Sequence, residues 1–266
     1  LPDDMPTLAG ILKASGYFTG ASGKWHLGED ARKDFDQVMD SAIGPGGEDR
    51  WLELLEQVPA GEPFFLWMAS LDAHRPWDMD RMPPASPTTI PVPPYLVPDS
   101  VTREDLGQYY REIHRFDTHV GTVVETLEKQ GILRNTILIV IADNGRPFPR
   151  DKTRMYDSGL QTPLIVYWEK ARALSGVQSD ALISAIDLAP TLLDLAGLPP
   201  AASFQGISFS QLLRDPGSEH RRYVFGEHNW HDFAAYERMV RSDSFLLIQN
   251  RLPEKPMSSA ADVHSG

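Results

Sequence analysis

The chain has 266 residues, of which 41% are apolar, and it carries a formal net charge of −12 and no cysteine. This length suits one large α/β domain, or one domain with a small C-terminal part, and the apolar content can fill a sizeable core. The acidic balance argues against a protein that binds nucleic acid or membrane surfaces, because both need clustered lysine and arginine. The absence of cysteine excludes disulfides and thiolate metal sites in this stretch, and no run approaches the roughly 18 apolar residues of a transmembrane helix.

Apolar periodicity and turn residues predict helices that alternate with short strands along the chain. The expected helices cover residues 7–15, 47–58, 102–130 and 187–196. The expected strands cover residues 17–21, 63–70, 136–142 and 163–167, and a final strand pair covers 222–227 and 238–249. The strand TILIVIA is short, continuous and β-branched, which is typical of a buried strand in a parallel sheet. The alternation predicts a doubly wound, mostly parallel α/β sheet flanked by helices, with a small C-terminal antiparallel strand region.

The organisation of the chain has three further features. Residues 76–98 are rich in proline and lack periodicity, so they form either a functional wall beside a site or a surface excursion pinned by proline. We expect an α/β core over residues 1–215 and a strand region over 216–266 that packs on this core. The chain opens with LPDD, which is typical of the middle of a protein, so an upstream signal peptide is neither visible nor excluded.

Polar clusters follow three of the predicted strands, at the positions where an open α/β sheet builds its sites. They are Lys24 with His26, Asp72 with His74, and Asp143 with Asn144, and Lys152 follows the last of them by a few residues. A single cluster of this kind is explained equally well by ordinary solvated loop residues. Three clusters at comparable positions, mixing carboxylate, lysine and histidine, indicate a polar pocket that handles an anion near a metal.

Asp143 and Asn144 offer adjacent oxygen ligands, which suit Ca²⁺ or Mg²⁺ better than softer metals. Two ligands are too few for Ca²⁺, which takes about 6–8 oxygens, so the others must come from elsewhere, including the substrate. The alternative is an ordinary Asp-Asn-Gly turn, which is common in proteins. The position of the pair directly after TILIVIA favours the metal site.

Four stretches of the chain are similar to sulfatases in content, order and spacing. They are residues 6–28, with PTL and GKWHLG; residues 63–76, with PFFL and DAHRP; residues 139–145, ending in DNG; and residues 187–193, DLAPTLL. Two further stretches, 92–99 (VPPYLVPD) and 143–153 (DNGRPFPRDKT), most resemble the sulfamidase, or heparan N-sulfatase, branch. The resemblance implies the alkaline-phosphatase-like fold and a calcium-dependent, sugar-directed hydrolase of sulfate esters or sulfamates.

The resemblance also implies how the anion and the metal are held. Asp143 and Asn144 would supply part of the calcium site, and Mg²⁺ is less favoured. Lys24 and Lys152 would hold sulfate oxygens and offset the charge that grows in the transition state, which is usually the dominant contribution to this kind of catalysis.

Four histidines receive roles from the same resemblance. His26 would serve the hydrate of the formylglycine nucleophile, and His74 would donate a proton at the leaving-group side, a general-acid task suited to imidazole. His228 and His231, in the segment GEHNWH, fall where a sulfamidase-like protein has a polar segment near its substrate. This last match is looser than the others.

The chain departs from the sulfatase pattern at the nucleophile. Sulfatases form formylglycine from the Cys or Ser of a Cys/Ser-x-Pro-x-Arg motif, and no such motif occurs in these 266 residues. The formylglycine and the early pair of aspartate ligands are therefore expected upstream, and this chain alone is expected to be inactive. The resemblance places the family in periplasmic, secreted or lysosome-like compartments, with a sulfated small molecule or sugar as the ligand.

Two other hypotheses remain open from the sequence. The first is a phosphomonoester or phosphonate hydrolase of the same superfamily, because cationic groups and metals serve phosphoryl and sulfuryl transfer alike. The second is a non-catalytic fragment that keeps the fold. The lysine and histidine motifs favour a sulfatase over a phosphate or phosphonate hydrolase. The intact set of polar residues argues against a fragment that has lost its catalytic function.

Overall fold

A computed structural model describes residues 5–40, 47–78, 90–170 and 176–254 of the chain. Its helices are α1 Leu8–Ala14, α2 Trp51–Glu56, α3 Ser100–Lys129, α4 Asp157–Leu160 and α5 Leu188–Leu195. Its strands are β1 Phe18–Gly23, β2 Gln37–Asp40, β3 Phe64–Ala69, β4 Ile137–Ile141, β5 Leu164–Trp168, β6 Val224–Trp230, β7 Ala234–Arg241 and β8 Leu246–Asn250. Within these ranges no helix has the length and apolar content needed to cross a membrane.

The chain divides into two compact units. The first consists of residues up to 91, residues 99–127 and residues 197–204, and it contains α1 to α3 and β1 to β3. The second consists of residues 92–98, 128–196 and the chain from 205 onward. The expected division into a core over 1–215 and a strand region over 216–266 stays a prediction. Residues 79–89 of the proline-rich loop lie outside the described residues.

The first unit is built on a parallel sheet with the strand order β2-β1-β3. Helix α1 precedes the sheet and begins at Thr7, whose hydroxyl accepts a hydrogen bond from the Gly10 amide at 3.0 Å. Such a capping hydroxyl satisfies one of the amides left open in the first turn of a helix. Helix α2 packs directly on β1, where a side chain at Gly20 would meet Leu54. The predicted helix–strand alternation is confirmed in this unit.

Helix α3 is the long helix predicted over residues 102–130. It begins after Asp99, whose carboxylate accepts a hydrogen bond from the Thr102 amide at 2.8 Å. It ends before Gly131, whose φ of 72° suits the left-handed conformation in which helices commonly terminate. Its apolar face is buried at Leu106 and Leu127, among others, as helical periodicity predicts.

The second unit contains only antiparallel pairings among its described strands. Strand β4 pairs with β5, and β6, β7 and β8 form a three-stranded sheet. The predicted parallel pairing and full burial of TILIVIA are therefore wrong here, since β4 is half-buried and antiparallel to β5. The single strand predicted over 238–249 is also wrong: Ser242 turns the chain, and its amide donates to the Phe245 carbonyl at 2.8 Å. The predicted C-terminal antiparallel region is confirmed.

Asp187 is the main polar anchor of the second unit. Its side chain is fully buried and accepts hydrogen bonds from Arg221 and His220 and from the amides of Ser184 and Ile207. Burial alone would raise the pKa of Asp187, but these donors, led by Arg221, lower it to about 2. The motif DLAPTLL thus fixes the start of α5 to the segment that leads into β6.

Candidate functional site

The carboxyl ends of β1 and β3 lie side by side, with Gly23 paired to Ala69. Gly23 has a φ of 95°, and a Cβ at this position would overlap the Ala69 carbonyl oxygen, so only glycine allows this close approach. Lys24 follows at once and is half-buried, and His26 is exposed two residues later. The first predicted polar cluster therefore lies at the carboxyl edge of the parallel sheet, as expected.

His74 lies in the loop that leaves β3 and is exposed. Its Nδ1 atom is 2.6 Å from the Arg75 carbonyl oxygen. A carbonyl oxygen only accepts hydrogen bonds, so Nδ1 must carry a hydrogen, and Nε2 is the atom that can exchange a proton with a ligand. This tautomer follows from the contact and suits a general acid or base.

A buried carboxyl group lies behind this edge of the sheet. Glu48 is 3% exposed and accepts a hydrogen bond from the Ser70 hydroxyl, which in turn accepts one from the Asp72 amide at 2.8 Å. Burial raises the pKa of Glu48 to about 7, and the neighbouring charge of Asp72 contributes in the same direction. Glu48 therefore titrates near neutral pH within two hydrogen bonds of the loop that carries His74.

The raised pKa of Glu48 predicts that the folded state loses stability as pH rises. Because its folded pKa of about 7 exceeds the ordinary value of 4.5, protonated Glu48 stabilises the fold below pH 4.5, and this contribution disappears towards pH 7. We expect Glu48→Gln, which is neutral at every pH, to be more stable than the wild type near pH 8 by roughly 1–3 kcal/mol. Thermal unfolding across this pH range measures the difference.

Glu56→Gln is the matched control, because Glu56 is an exposed glutamate at the end of α2, the helix that follows the helical turn carrying Glu48. It should leave the pH dependence of the melting temperature unchanged. Parallel pH profiles for the wild type and Glu48→Gln would contradict the assigned pKa.

Asp143, Asn144 and Gly145 follow β4 and turn the chain sharply. The Asn144 side-chain amide donates to the Gly145 carbonyl at 2.7 Å, which fixes the amide and leaves its oxygen available as an acceptor. The Gly145 amide donates to the Gly159 carbonyl at 2.9 Å, and a Cβ at Gly145 would overlap the Ser158 carbonyl oxygen. The turn is therefore held against α4, with the Asp143 carboxylate exposed.

Lys152 lies in the loop between β4 and α4 and is 8% exposed. Its backbone is held by a 3.1 Å hydrogen bond from its amide to the Arg146 carbonyl. Arg150 and Thr153, which flank it, have φ values of 78° and 66°, and such left-handed backbone is costly for residues other than glycine. Strain of this kind is often concentrated at functional sites, where surrounding contacts maintain it.

Asp151 supports the same loop from inside. Its side chain is fully buried, and its carboxylate lies 3.2 Å from Arg146 Nε. Burial raises the pKa of Asp151, against the opposing effect of Tyr95, Ser158 and the nearby arginines. Asp151 and its neighbours thus hold the backbone of the loop that carries Lys152.

His228 and His231 lie on and just after β6. His228 Nδ1 is 3.1 Å from Glu237 Oε2 on the neighbouring strand, and Glu237 is 4% exposed. His231 is half-buried, and its Nδ1 lies 3.4 Å from the carboxylate of its neighbour Asp232. The sheet packs on α4 through Arg241, whose Nε is 3.1 Å from the Asp157 carboxylate. His228 thus belongs to the sheet that packs on α4, whereas His231 lies in the turn after β6.

The two units each carry part of the predicted site. Lys24, His26 and His74 belong to the first unit, and Asp143, Asn144, Lys152, His228 and His231 belong to the second. Within the described ranges, no group of three histidine, cysteine, aspartate or glutamate side chains is arranged to hold a metal ion. Asp143 and Asn144 fit the part of a calcium site expected of them, since both offer oxygen atoms at the end of one strand.

Sequence reasoning missed the charged groups buried beneath the His74 loop. Glu112 and Arg115 of α3 are 1% and 9% exposed, and burial raises the pKa of Glu112 to about 7. The one available signal was their spacing of three residues on a helix that also presents apolar side chains. Charged residues at this spacing are more often a solvated surface pair, so the pattern alone favours the wrong conclusion.

The fold and the polar strand ends define an α/β protein of the alkaline-phosphatase-like class. A solved structure, described as being in complex with its substrate D-glucosamine-2-N,6-O-disulfate, matches this chain with a TM-score of 0.69 at 20% identity. The match covers 93% of this chain and 73% of that one. At this identity the likeness establishes the fold alone.

The family follows from the sequence comparisons. The family model described as Sulfatase matches residues 1–198, and the model described as N-sulphoglucosamine sulphohydrolase, C-terminal, matches residues 148–254. The chain belongs to the sulfatase family.

Two curated relatives show how much of a whole sulfatase the chain represents. Human N-sulphoglucosamine sulphohydrolase is 31% identical over 228 residues, covering 74% of this chain and 45% of the relative. An ulvan-active sulfatase of Formosa agariphila is 36% identical over 170 residues, covering 63% of this chain and 28% of the relative. The chain therefore spans less than half the length of either relative.

Proposed function

We propose that this chain is part of a hydrolase that removes sulfate from a sulfated sugar, with a sulfamidase-like preference for N-sulfated glucosamine. The observation that carries the proposal is the pair of overlapping family matches, one to sulfatases and one to the C-terminal part of N-sulphoglucosamine sulphohydrolases. The parallel strands β1 and β3 support it, because Lys24, His26 and His74 follow their carboxyl ends, where an open α/β sheet builds its sites.

The lysine and histidine side chains have different proposed roles in sulfuryl transfer. Lys24 and Lys152 bind the sulfate oxygens and offset the negative charge that develops in the transition state. As the bond from sulfur to oxygen or nitrogen breaks, the electron pair passes to the leaving atom, and His74 Nε2 donates a proton to it. His26 exchanges a proton on the opposite, nucleophile side.

Two groups from outside this set of residues complete the proposal. A formylglycine nucleophile, implied by the sulfatase resemblance and not encoded in these 266 residues, would supply the attacking oxygen as its aldehyde hydrate. Asp143 and Asn144 would hold Ca²⁺, which would supply positive charge to offset that of the sulfate. We call this chain joined to a segment that carries the formylglycine motif the extended protein, and all activity assays below refer to it in its matured form.

Substrate recognition is proposed to involve His228 and His231 together with a pocket that takes the end of a sugar chain. The net charge of −12 fits such a pocket better than binding along a polyanion, which would need a basic surface to displace counterions. The buried contact of His228 with Glu237 gives this histidine a fixed orientation, so of the two it is the better candidate for specific recognition.

The test compares hydrolysis of four substrates by the extended protein: N-sulfated glucosamine, an O-sulfated glucosamine, nitrophenyl sulfate and nitrophenyl phosphate. We expect the highest kcat/KM with N-sulfated glucosamine. A strong preference for the O-sulfated sugar would exclude the sulfamidase branch and leave the sulfatase proposal intact. A preference for the phosphate would instead support the rival phosphomonoester hydrolase.

A further inference from the structure

The loop that carries His74 is fastened to helix α3 on both sides of the histidine. On the N-terminal side, Asp72 accepts two hydrogen bonds from Arg115, at 2.7 Å from Nε and 2.6 Å from Nη2. The exposed fractions of the two side chains are 2% and 9%. A buried, bidentate pair of this kind fixes both distance and orientation, because the planar guanidinium matches the two carboxylate oxygens.

The C-terminal side of the loop is fastened by a second set of contacts to the same helix. Arg75, adjacent to His74, forms an ion pair with Asp105, and Trp77 Nε1 donates to the same carboxylate at 2.7 Å. The Asp78 amide donates to Glu112 at 2.8 Å. His74 is exposed between the buried first attachment and the partly buried second one, so its backbone is held on both sides while the residue stays accessible.

We propose that Arg115 is a positioning residue for the reaction: through Asp72 it sets the place of the His74 ring relative to the leaving group. This inference rests on the proposed role of His74 as the proton donor. It follows from the geometry, because Arg115 contacts the loop two residues before His74 and lies on a helix of thirty residues. Proton transfer depends steeply on placement, and a displacement of about 1 Å can lower a rate by about 10²-fold.

The design of this cluster also explains why arginine is needed rather than lysine. Arg115 faces three acidic side chains, with Asp78 Oδ2 at 3.5 Å and Glu112 Oε1 at 3.8 Å in addition to Asp72. A lysine keeps one positive charge but offers a single nitrogen, so it cannot hold both oxygens of Asp72 while facing the other two acids. Arg115→Lys therefore loosens the loop without removing the charge.

The test uses leaving groups that differ in their need for a proton. Nitrophenolate leaves readily without protonation, whereas a sugar oxygen or nitrogen requires it. We expect Arg115→Lys in the extended protein to lower kcat on a sulfated sugar by about 10–100-fold, with KM little changed. The loss on nitrophenyl sulfate should be smaller by about tenfold, and His74→Ala should show the same dependence more strongly.

Arg103→Lys is the matched control, because Arg103 lies on the same helix but donates to the Ile90 carbonyl and not to a residue of the His74 loop. It should affect both substrates equally and little. If Arg115→Lys does not fold, Asp105→Asn loosens the other attachment and should give the same dependence on the leaving group.

The outcomes separate this inference from the function on which it rests. Equal losses on both substrates in Arg115→Lys and Asp105→Asn, or no loss, would overturn the positioning role if His74→Ala still distinguishes the leaving groups. If His74→Ala does not distinguish them, the proposed role of His74 is itself wrong, and the positioning role fails with it.

Discussion

Asp143→Ala in the extended protein is expected to abolish turnover and to weaken calcium binding. Ca²⁺ takes about 6–8 oxygen ligands, and the loss of a negatively charged one leaves the cation short of both coordination and neutralising charge. The structure supports the assignment, because Asp143 is exposed at the end of β4 and its neighbour Asn144 is fixed by the bond to the Gly145 carbonyl. Calorimetric titration with Ca²⁺, beside an assay of sulfate release, measures both effects.

Two further variants make this experiment specific. Asp143→Asn keeps the size of the side chain and one oxygen but removes the charge, so it should retain weak calcium binding. Asp243→Ala removes an exposed carboxylate from the turn after β7 and should change neither value. Unchanged calcium affinity and turnover in Asp143→Ala would refute the metal site.

The sequence predicts the elements of this fold better than it predicts their pairing. Helix α3 was expected over 102–130 and covers 100–129. The agreement is close because apolar residues recur at helical spacing along this whole stretch, which specifies a helix and not a strand. The strand at β4 was also located correctly, but its expected parallel neighbour is replaced by antiparallel β5. An apolar run indicates a strand that can be buried, and it does not specify which strand will lie beside it.

The C-terminal sheet shows a second limit of the same kind. Residues 238–249 are apolar and β-prone at both ends, so they suggest one long strand, whereas Ser242 to Phe245 form a turn that separates β7 from β8. The signal was present in the short polar run Ser-Asp-Ser, whose side chains compete for backbone hydrogen bonds.

The residues of the candidate site could be predicted only where a charged or polar side chain comes soon after a predicted strand. Lys24, His74 and Asp143 meet this condition, since each comes soon after a strand end. Glu48 and Arg115 do not meet it. The sequence does not show whether a charged side chain is buried or solvated. Only the packing shows that Arg115 is buried with Asp72, and this packing is what gives the His74 loop its place.

Lys24→Ala and Lys152→Ala are each expected to lower turnover by about 10²–10³-fold, the usual loss when one preorganised contact to the transition state is removed. The two lysines differ in their surroundings. Lys24 is half-buried at the end of β1, whereas Lys152 is 8% exposed in a loop flanked by left-handed residues. We therefore expect Lys152→Ala to be the more destabilising of the two.

Rates of sulfate release and melting temperatures, measured on the same preparations, separate catalysis from folding. Lys170→Ala, which removes an exposed lysine just after β5, is the matched control and should preserve both values. If Lys24 and Lys152 hold the sulfate, the folded variants will remain slow at saturating substrate, because the missing charge stabilised the transition state more than the bound substrate. Near-normal rates combined with much lower melting temperatures would instead show that both lysines are structural.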